Sequence, residues 1–298
     1  MVTTSNTAEH RRRLRALLEG DACIHPATVY DPISARLAEM AGYEVAVLPG
    51  SLASAAILGV PDLILITLTE FAEQARRIAR YSGLAVVADA DHGYGNALNA
   101  QRTVEELEAA GVAGLTLEDT LLPAPYNPTE PMISIPEMSA RLRAAVEARS
   151  DPSLVIVART NALNVSTVED AIERLTAYQQ TGVDAVMIVG ASKPEQVGAV
   201  GGAVSLPVIL GNVPASEPQL ADRAFLAAHR VRIAYQNQPA FLASVQAQYD
   251  VMRHLHEGGT LASIAQPLAP GKLVDEMLRR TAYDETQQRY LKGEVKRS

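Results

Sequence analysis

Val86-Val87-Ala88-Asp89-Ala90-Asp91-His92-Gly93-Tyr94-Gly95-Asn96 is the stretch from which the architecture of this chain is read. An apolar run breaks off at two carboxylates spaced i, i+2, then at glycines that force a turn. The helical pattern Ala100–Ala110 follows. After Ala110-Gly111 a second apolar run, 113–118, closes in Glu118-Asp119. Strand, helix, strand is the repeating unit of a parallel sheet. On a strand, residues i and i+2 point to the same side, so Asp89 and Asp91 are expected together at the mouth of a buried strand. Paired hard oxygen donors suit Mg²⁺, which favours oxygen ligands and keeps several waters. A bare Asp-x-Asp is also what a solvated strand end looks like, so the rest of the chain has to decide.

The same pattern recurs along the chain. Short β-branched runs at 23–30, 45–49, 84–89, 113–118, 154–159, 184–189, 206–211 and 231–236 read as strands. Amphipathic segments lie between them: Pro32–Ala41, Thr69–Tyr81, Ala100–Ala110, Ile135–Arg149, Val168–Thr181 and Pro218–His229. Thr67-x-x-Glu70 fits a capping box, and Glu169-Asp170 place acids in a first helical turn. Ala41-Gly42, Ala110-Gly111 and Thr181-Gly182 mark helix ends. Eight strands alternating with helices predict an α/β fold, a closed (β/α)₈ TIM-type barrel. The doubly wound alternative lacks a GxGxxG after the first strand. The whole chain, 1–298, reads as one barrel domain with a C-terminal helical extension. Val245–Gly258 reads as one further helix and Pro267–Tyr290 as a helical tail. The helices of about 245–298 are expected in oligomer contacts, although helices covering their own barrel would look the same.

Composition narrows the function. The chain has 298 residues, 48% hydrophobic and 20% charged, with a formal net charge of −8. The acidic balance argues against a nucleic-acid partner, and no Lys/Arg run stands out as a footprint for one. Aromatics are 4%, without Trp, which leaves no base-stacking platform. Cys23 is the single cysteine, so an intrachain disulfide and a CxxC metal site are excluded. No apolar run approaches the roughly 20 residues that span a membrane. The arginines before residue 14 have no apolar signal core behind them, so a cytoplasmic location is expected.

In a barrel the active site forms where the strands end at their C-terminal edge, and the unusual polar residues fall there. The runs close in Tyr30-Asp31, Pro49-Gly50-Ser51 with a loop continuing to Asp62, Asp89 and Asp91, Glu118-Asp119, Arg159-Thr160-Asn161, Gly211-Asn212 and Tyr235-Gln236-Asn237. Any one of these is ordinary at a strand end. Four acids converging with one arginine describe a catalytic site.

These residues resemble the isocitrate lyase / phosphoenolpyruvate mutase superfamily over about Arg11 to Arg253. The likeness is carried by Tyr30–Arg36 (YDPISAR), Pro49–Ala55 (PGSLASA), Leu58–Asp62 (LGVPD), Asp89–Asn96 (DADHGYGN), Leu117-Glu118-Asp119 and Ala158–Ala162 (ARTNA). Thr67–Arg77 and Arg102–Val112 are similar to its Mg²⁺-dependent oxaloacetate decarboxylase branch. The resemblance implies a modified barrel with a terminal helix swapped between subunits of a homodimer or homotetramer. It implies that Asp89 binds Mg²⁺ (or Mn²⁺) directly, while Asp62, Asp91 and Glu118 hold the metal's waters. It implies that Arg159 and the backbone of Gly50, Ser51 and Leu52 bind a small 2-oxo acid, with Asn212, Tyr30 and Asp31 nearby. The shared chemistry is an enolate formed beside a 2-oxo carboxylate. A chelated Mg²⁺ absorbs that charge as a Lewis acid, Arg159 offers a carboxylate two hydrogen bonds, and backbone N–H groups serve as an oxyanion site.

Departures from the superfamily select among its reactions. After Glu118-Asp119 the loop begins Thr120-Leu121-Leu122-Pro123-Ala124-Pro125-Tyr126-Asn127-Pro128, with no Cys, Lys or His. The acid cysteine of the isocitrate and methylisocitrate lyases is missing, and so are the cations of phosphonopyruvate-type enzymes. Asn127 lies one residue from where those enzymes place an asparagine. Decarboxylation asks least of this loop. Asn237 stands where the decarboxylase branch has a histidine, which leaves Tyr235, Tyr126 and His92 as proton carriers. The expected activity is decarboxylation of oxaloacetate, or a close 2-oxo dicarboxylate, to pyruvate. Its rivals are cleavage of a substituted malate or another 2-oxo acid, and a catalytically weak barrel kept for binding or assembly.

Overall fold

The computed structural model describes residues 6–126 and 131–291. The chain divides at Asn237 into two compact units. In the first, eight parallel strands stand side by side in chain order: β1 (Ala27–Thr28), β2 (Val45–Leu48), β3 (Ala85–Asp89), β4 (Gly114–Glu118), β5 (Val155–Thr160), β6 (Ala185–Val189), β7 (Val208–Gly211) and β8 (Val231–Ala234). β8 meets the residues leading into β1 through a parallel bridge between Ile24 and Ile233. There the Ile24 N–H donates to Arg232 O and the Ala234 N–H to Ile24 O, both at 2.9 Å. This is the (β/α)₈ arrangement that the alternating runs predict.

Ten helices of this unit lie among the described residues: α1 (Thr7–Glu19), α2 (Pro32–Met40), α3 (Gly50–Leu58), α4 (Leu68–Tyr81), α5 (Ala97–Ala110), α6 (Ile135–Ala148), α7 (Ala162–Val165), α8 (Val168–Tyr178), α9 (Pro194–Ala203) and α10 (Arg223–Ala228). The capping box at Thr67 is present: Thr67 Oγ1 accepts from Glu70 N–H, and Glu70 Oε2 accepts from Thr67 N–H at 2.9 Å.

Three expectations are corrected. The run 23–30 yields only Ala27–Thr28 as strand. Pro26 has no N–H for a ladder, and His25 turns its ring to the carbonyls of Ala234 and Ala221. The segment after β2 is the helix α3 rather than a loop running to Asp62. Its sequence, GSLASAAIL, is apolar or small on every side and so shows no amphipathic period. The arginine-rich start is α1, which was not expected as a helix.

α1 positions the barrel interior. Its Leu14 and Leu18 pack with Val45, Val47, Val87, Val155, Val157 and Met187, the inward side chains of the strands. Each such buried aliphatic contributes about 1.5–3 kcal/mol. Gly114 leaves room for this packing, because a Cβ there would lie 3.0 Å from a Leu14 methyl and from Val155. Val86, Ala88, Leu115, Leu117, Ile156 and Ala158 face outward into the layer beneath the helices. The alternation carries on to the strand ends. Asp89 follows Ala85 and Val87, Arg159 follows Val155 and Val157, and Glu118 follows Gly114 and Thr116, so all three enter the barrel mouth.

The second unit holds α11 (Pro239–His256), α12 (Gly271–Met277) and α13 (Arg280–Leu291). α11 buries none of its residues. Leu242, Val245, Tyr249 and Met252 are exposed along it at spacings of three and four, one face of a helix. No helix among the described residues is long and apolar enough to cross a membrane.

Candidate active site

Arg159 is the hub of the barrel mouth. Its Nη1 lies 2.8 Å and 2.7 Å from the two Asp89 oxygens. Its Nη2 lies 2.7 Å from Glu118 Oε2 and 3.4 Å from Asn161 Oδ1. Thr116 Oγ1 donates to Asp89 Oδ1 at 2.7 Å. Asn161 Nδ2 donates to Glu118 Oε2 at 3.0 Å and to Thr120 Oγ1 at 2.6 Å. The Arg159 Nε is buried without a partner, so the guanidinium keeps one donor in hand. Burial alone would lower its pKa, but Asp89 and Glu118 outweigh that and raise it.

Three carboxyl pKa values are raised as well, which favours their neutral form. Burial raises the Asp91 pKa well above the ordinary value, and Asp89, Glu118 and Asp62 add to it. Glu118 is raised by burial, against the opposing pull of Arg159. Asp62, on the loop after α3, is raised first by partial burial of its carboxyl and then by Asp89. One arginine does not neutralise this much acid, and like charges this close favour protonation or a bound cation.

Asp91 does not reach the cluster by strand alternation, as the i, i+2 spacing suggested. β3 ends at Asp89, and Asp91 sits in the following turn at φ +48°. The turn lays its carboxylate against the start of α3: a Cβ on Gly50 would stand 2.9 Å from Asp91 Oδ1 and 3.0 Å from Oδ2. Only glycine fits at position 50 with Asp91 in place. Asp91 Oδ2 is buried and has no partner. Gly50, Ser51 and Leu52 form the first turn of α3, the end of a helix that favours negative charge.

The remaining predicted residues divide. Tyr235 brings a buried hydroxyl with no partner, and burial, then Asp89, keeps it protonated. Asn212 and Asn237 lie at φ +57° and +56° beyond β7 and β8. Asn237 Nδ2 is 3.5 Å from Val213 O, and the Asn237 backbone carbonyl accepts from Thr28 Oγ1 at 2.8 Å. Asp31 caps α2, accepting from Ser34 N–H at 2.6 Å, and the Tyr30 carbonyl accepts from Gln74. His92 is 3% exposed, packed beside Tyr94. Burial, then the Arg141 charge, lowers its pKa to about 4, so it is neutral at pH 7 and has no imidazolium proton to give. Tyr126 is fully exposed. Asn127 and the loop through residue 130 lie outside the described residues.

Several residues went unassigned in the sequence. Thr116 was findable, since it shares the inward face of β4 with Glu118. Asn161 was visible only as a strand-end residue. Tyr94, whose buried hydroxyl also lacks a partner, reads as a turn residue. Asp119 faces the outer core, where Thr160, Tyr178 and Arg174 surround it.

The donor set fits a hard divalent cation: oxygen donors only, too much negative charge, and one carboxylate oxygen without a partner. Among the described residues no three acidic, imidazole or thiol groups converge closely enough to wrap an ion by themselves.

The family model described as phosphoenolpyruvate phosphomutase matches residues 14–253. A Rhodopseudomonas palustris (strain HaA2) protein named oxaloacetate decarboxylase is 49% identical over 284 residues, 95% of this chain and 97% of that protein. Among solved structures, a phosphonopyruvate hydrolase complex with oxalate and Mg²⁺ superposes with a TM-score of 0.85 at 29% identity, covering 95% of this chain and 99% of that one. An oxaloacetate acetylhydrolase in complex with its product oxalate gives a TM-score of 0.80 at 27% identity, covering 94% and 98%.

Proposed function

This chain belongs to the phosphoenolpyruvate phosphomutase family, and on that footing we propose that it is a carbon–carbon lyase that decarboxylates oxaloacetate to pyruvate with Mg²⁺ at the acid cluster. Mn²⁺ is the second choice of ion. The observation that carries the reading is a set of buried polar atoms without partners around one arginine: Asp91 Oδ2, Arg159 Nε and Tyr235 Oη. Buried polar groups are nearly always bonded, so such a set at a barrel mouth supports a site completed by a ligand and its waters. The relative of 49% identity bears the name of this reaction.

Asp89, Asp91, Asp62 and Glu118 would hold the ion and its waters. Bound there, a divalent ion supplies Lewis acidity to the charge that develops on the substrate's oxygens. Arg159, held in place by Asp89, Glu118 and Asn161, would offer its unpartnered Nε–H to the carboxylate beside the keto group. The first turn of α3 adds N–H groups and the positive end of a helix dipole. Loss of CO₂ leaves an electron pair on the substrate's methylene carbon, delocalised to the keto oxygen. We assign the return of a proton to that carbon to Tyr235 Oη, which burial keeps protonated. The exposed stripe Leu242, Val245, Tyr249 and Met252 supports a homo-oligomer built through α11.

Product identity tests the reaction. Carbon NMR of oxaloacetate turnover is expected to show pyruvate and CO₂ in equal amounts. Oxalate in place of pyruvate would mean that the chain works as the structurally similar acetylhydrolase does.

A further inference from the structure

The turn after β3 concentrates unusual backbone. Asp91 and Tyr94 hold φ at +48° and +59°, and Gly93 and Gly95 hold +80° and +151°. A non-glycine residue stays left-handed only where its surroundings over-determine it. Four successive carbonyls show how that is done here. Ala90 O accepts from Gly93 N–H at 2.9 Å, and Asp91 O accepts from Glu118 N–H at 2.8 Å. His92 O accepts from Arg141 Nη1 at 2.7 Å, and Gly93 O accepts from Thr103 Oγ1 at 3.1 Å.

The first two bonds come from the turn and its neighbour strand. The last two come from side chains on α6 and α5 that no step of the reaction uses. Both are buried, Arg141 at 5% and Thr103 at 0% exposure. Burying a guanidinium is costly unless it is well bonded. The short bond of Arg141 goes to a backbone carbonyl one residue from Asp91, its other contact is Glu137 at 3.4 Å, and its Nε has no partner. The turn has little room to relax, since Gly93 packs against Leu117 and Ala100.

We propose that Arg141 and Thr103 are positioning residues for the cation site, pinning the His92 and Gly93 carbonyls so that the Asp91 carboxylate stays against Gly50 and within the acid cluster. This inference rests on the reading that the cluster takes Mg²⁺. It assigns two residues on outer helices, neither touching the ion or the substrate, to the setting of metal affinity.

The test is calorimetric titration of MgCl₂ into the metal-stripped full chain, with circular dichroism as the check on folding. Thr103→Val keeps the shape and removes the donor; Thr103→Ser keeps the donor. Thr103→Val is expected to raise the Mg²⁺ Kd by about 10–100-fold, the range for groups that orient metal ligands. It should leave kcat at saturating Mg²⁺ unchanged, and Thr103→Ser should restore the wild-type Kd. Arg141→Met is expected to move Kd the same way; if it does not fold, the Thr103 pair still decides. A folded Thr103→Val that binds Mg²⁺ as tightly as wild type overturns the inference. Wild-type protein that binds no Mg²⁺ overturns the underlying reading, and this inference with it.

Discussion

Asp89→Ala is expected to reduce oxaloacetate turnover to the rate of free Mg²⁺ alone, a loss of more than about 100-fold. Groups that merely orient metal ligands are worth 10–100-fold, and Asp89 is proposed as the direct ligand. Its position follows from the fold, as the inward residue at the end of β3, fixed by Thr116 and facing Arg159. The variant still folds, because Arg159 keeps Glu118 at 2.7 Å and is not left as an unpaired buried charge. Pyruvate formation and Mg²⁺ calorimetry on the same preparation read the effect. Full activity in a folded Asp89→Ala protein would place the metal site elsewhere.

Asp91→Asn separates stability from function. In EDTA at neutral pH the variant is expected to unfold higher than wild type by roughly 2–4 °C, the shift produced by about 1 kcal/mol in a domain of this size. The cause is relief of a buried carboxylate from burial itself and from Asp89, Glu118 and Asp62. The folded-state pKa of Asp91 is raised above the ordinary 3.8. Stability is therefore greatest below that value and is lost as pH rises through the raised one. The gap between variant and wild type is absent near pH 3.8 and opens as the pH rises. Saturating Mg²⁺ reverses the order, since wild type gains stability from the ion and the variant loses a ligand of its waters. A variant less stable than wild type in EDTA at neutral pH would show that the Asp91 carboxylate supports its turn and is not strained by its neighbours.

Much of the barrel is legible from apolar runs alone, because buried parallel strands carry continuous hydrophobic sequence. Residue parity then sends Asp89, Glu118 and Arg159 inward, so the heart of the candidate site could be read before any coordinates. What escaped has physical reasons. α3 has no polar face to betray a helix, yet its first turn carries Gly50, Ser51 and Leu52. Asp91 reaches the cluster through a left-handed turn, which spacing cannot foresee. Arg141 grips a carbonyl 49 residues away in sequence, and a local pattern holds no trace of such a contact. Asp31 reads as a strand-end acid and turns out to cap α2, a role that Asp31-Pro32-x-Ser34 does announce.

The most direct measurement is pyruvate formation from oxaloacetate by the purified full chain, with Mg²⁺ and with EDTA, corrected for decarboxylation by the metal alone. Turnover well above that background with Mg²⁺ and absent in EDTA is the predicted result. Turnover no faster than the metal alone, in a protein that binds Mg²⁺, would contradict the proposed reaction.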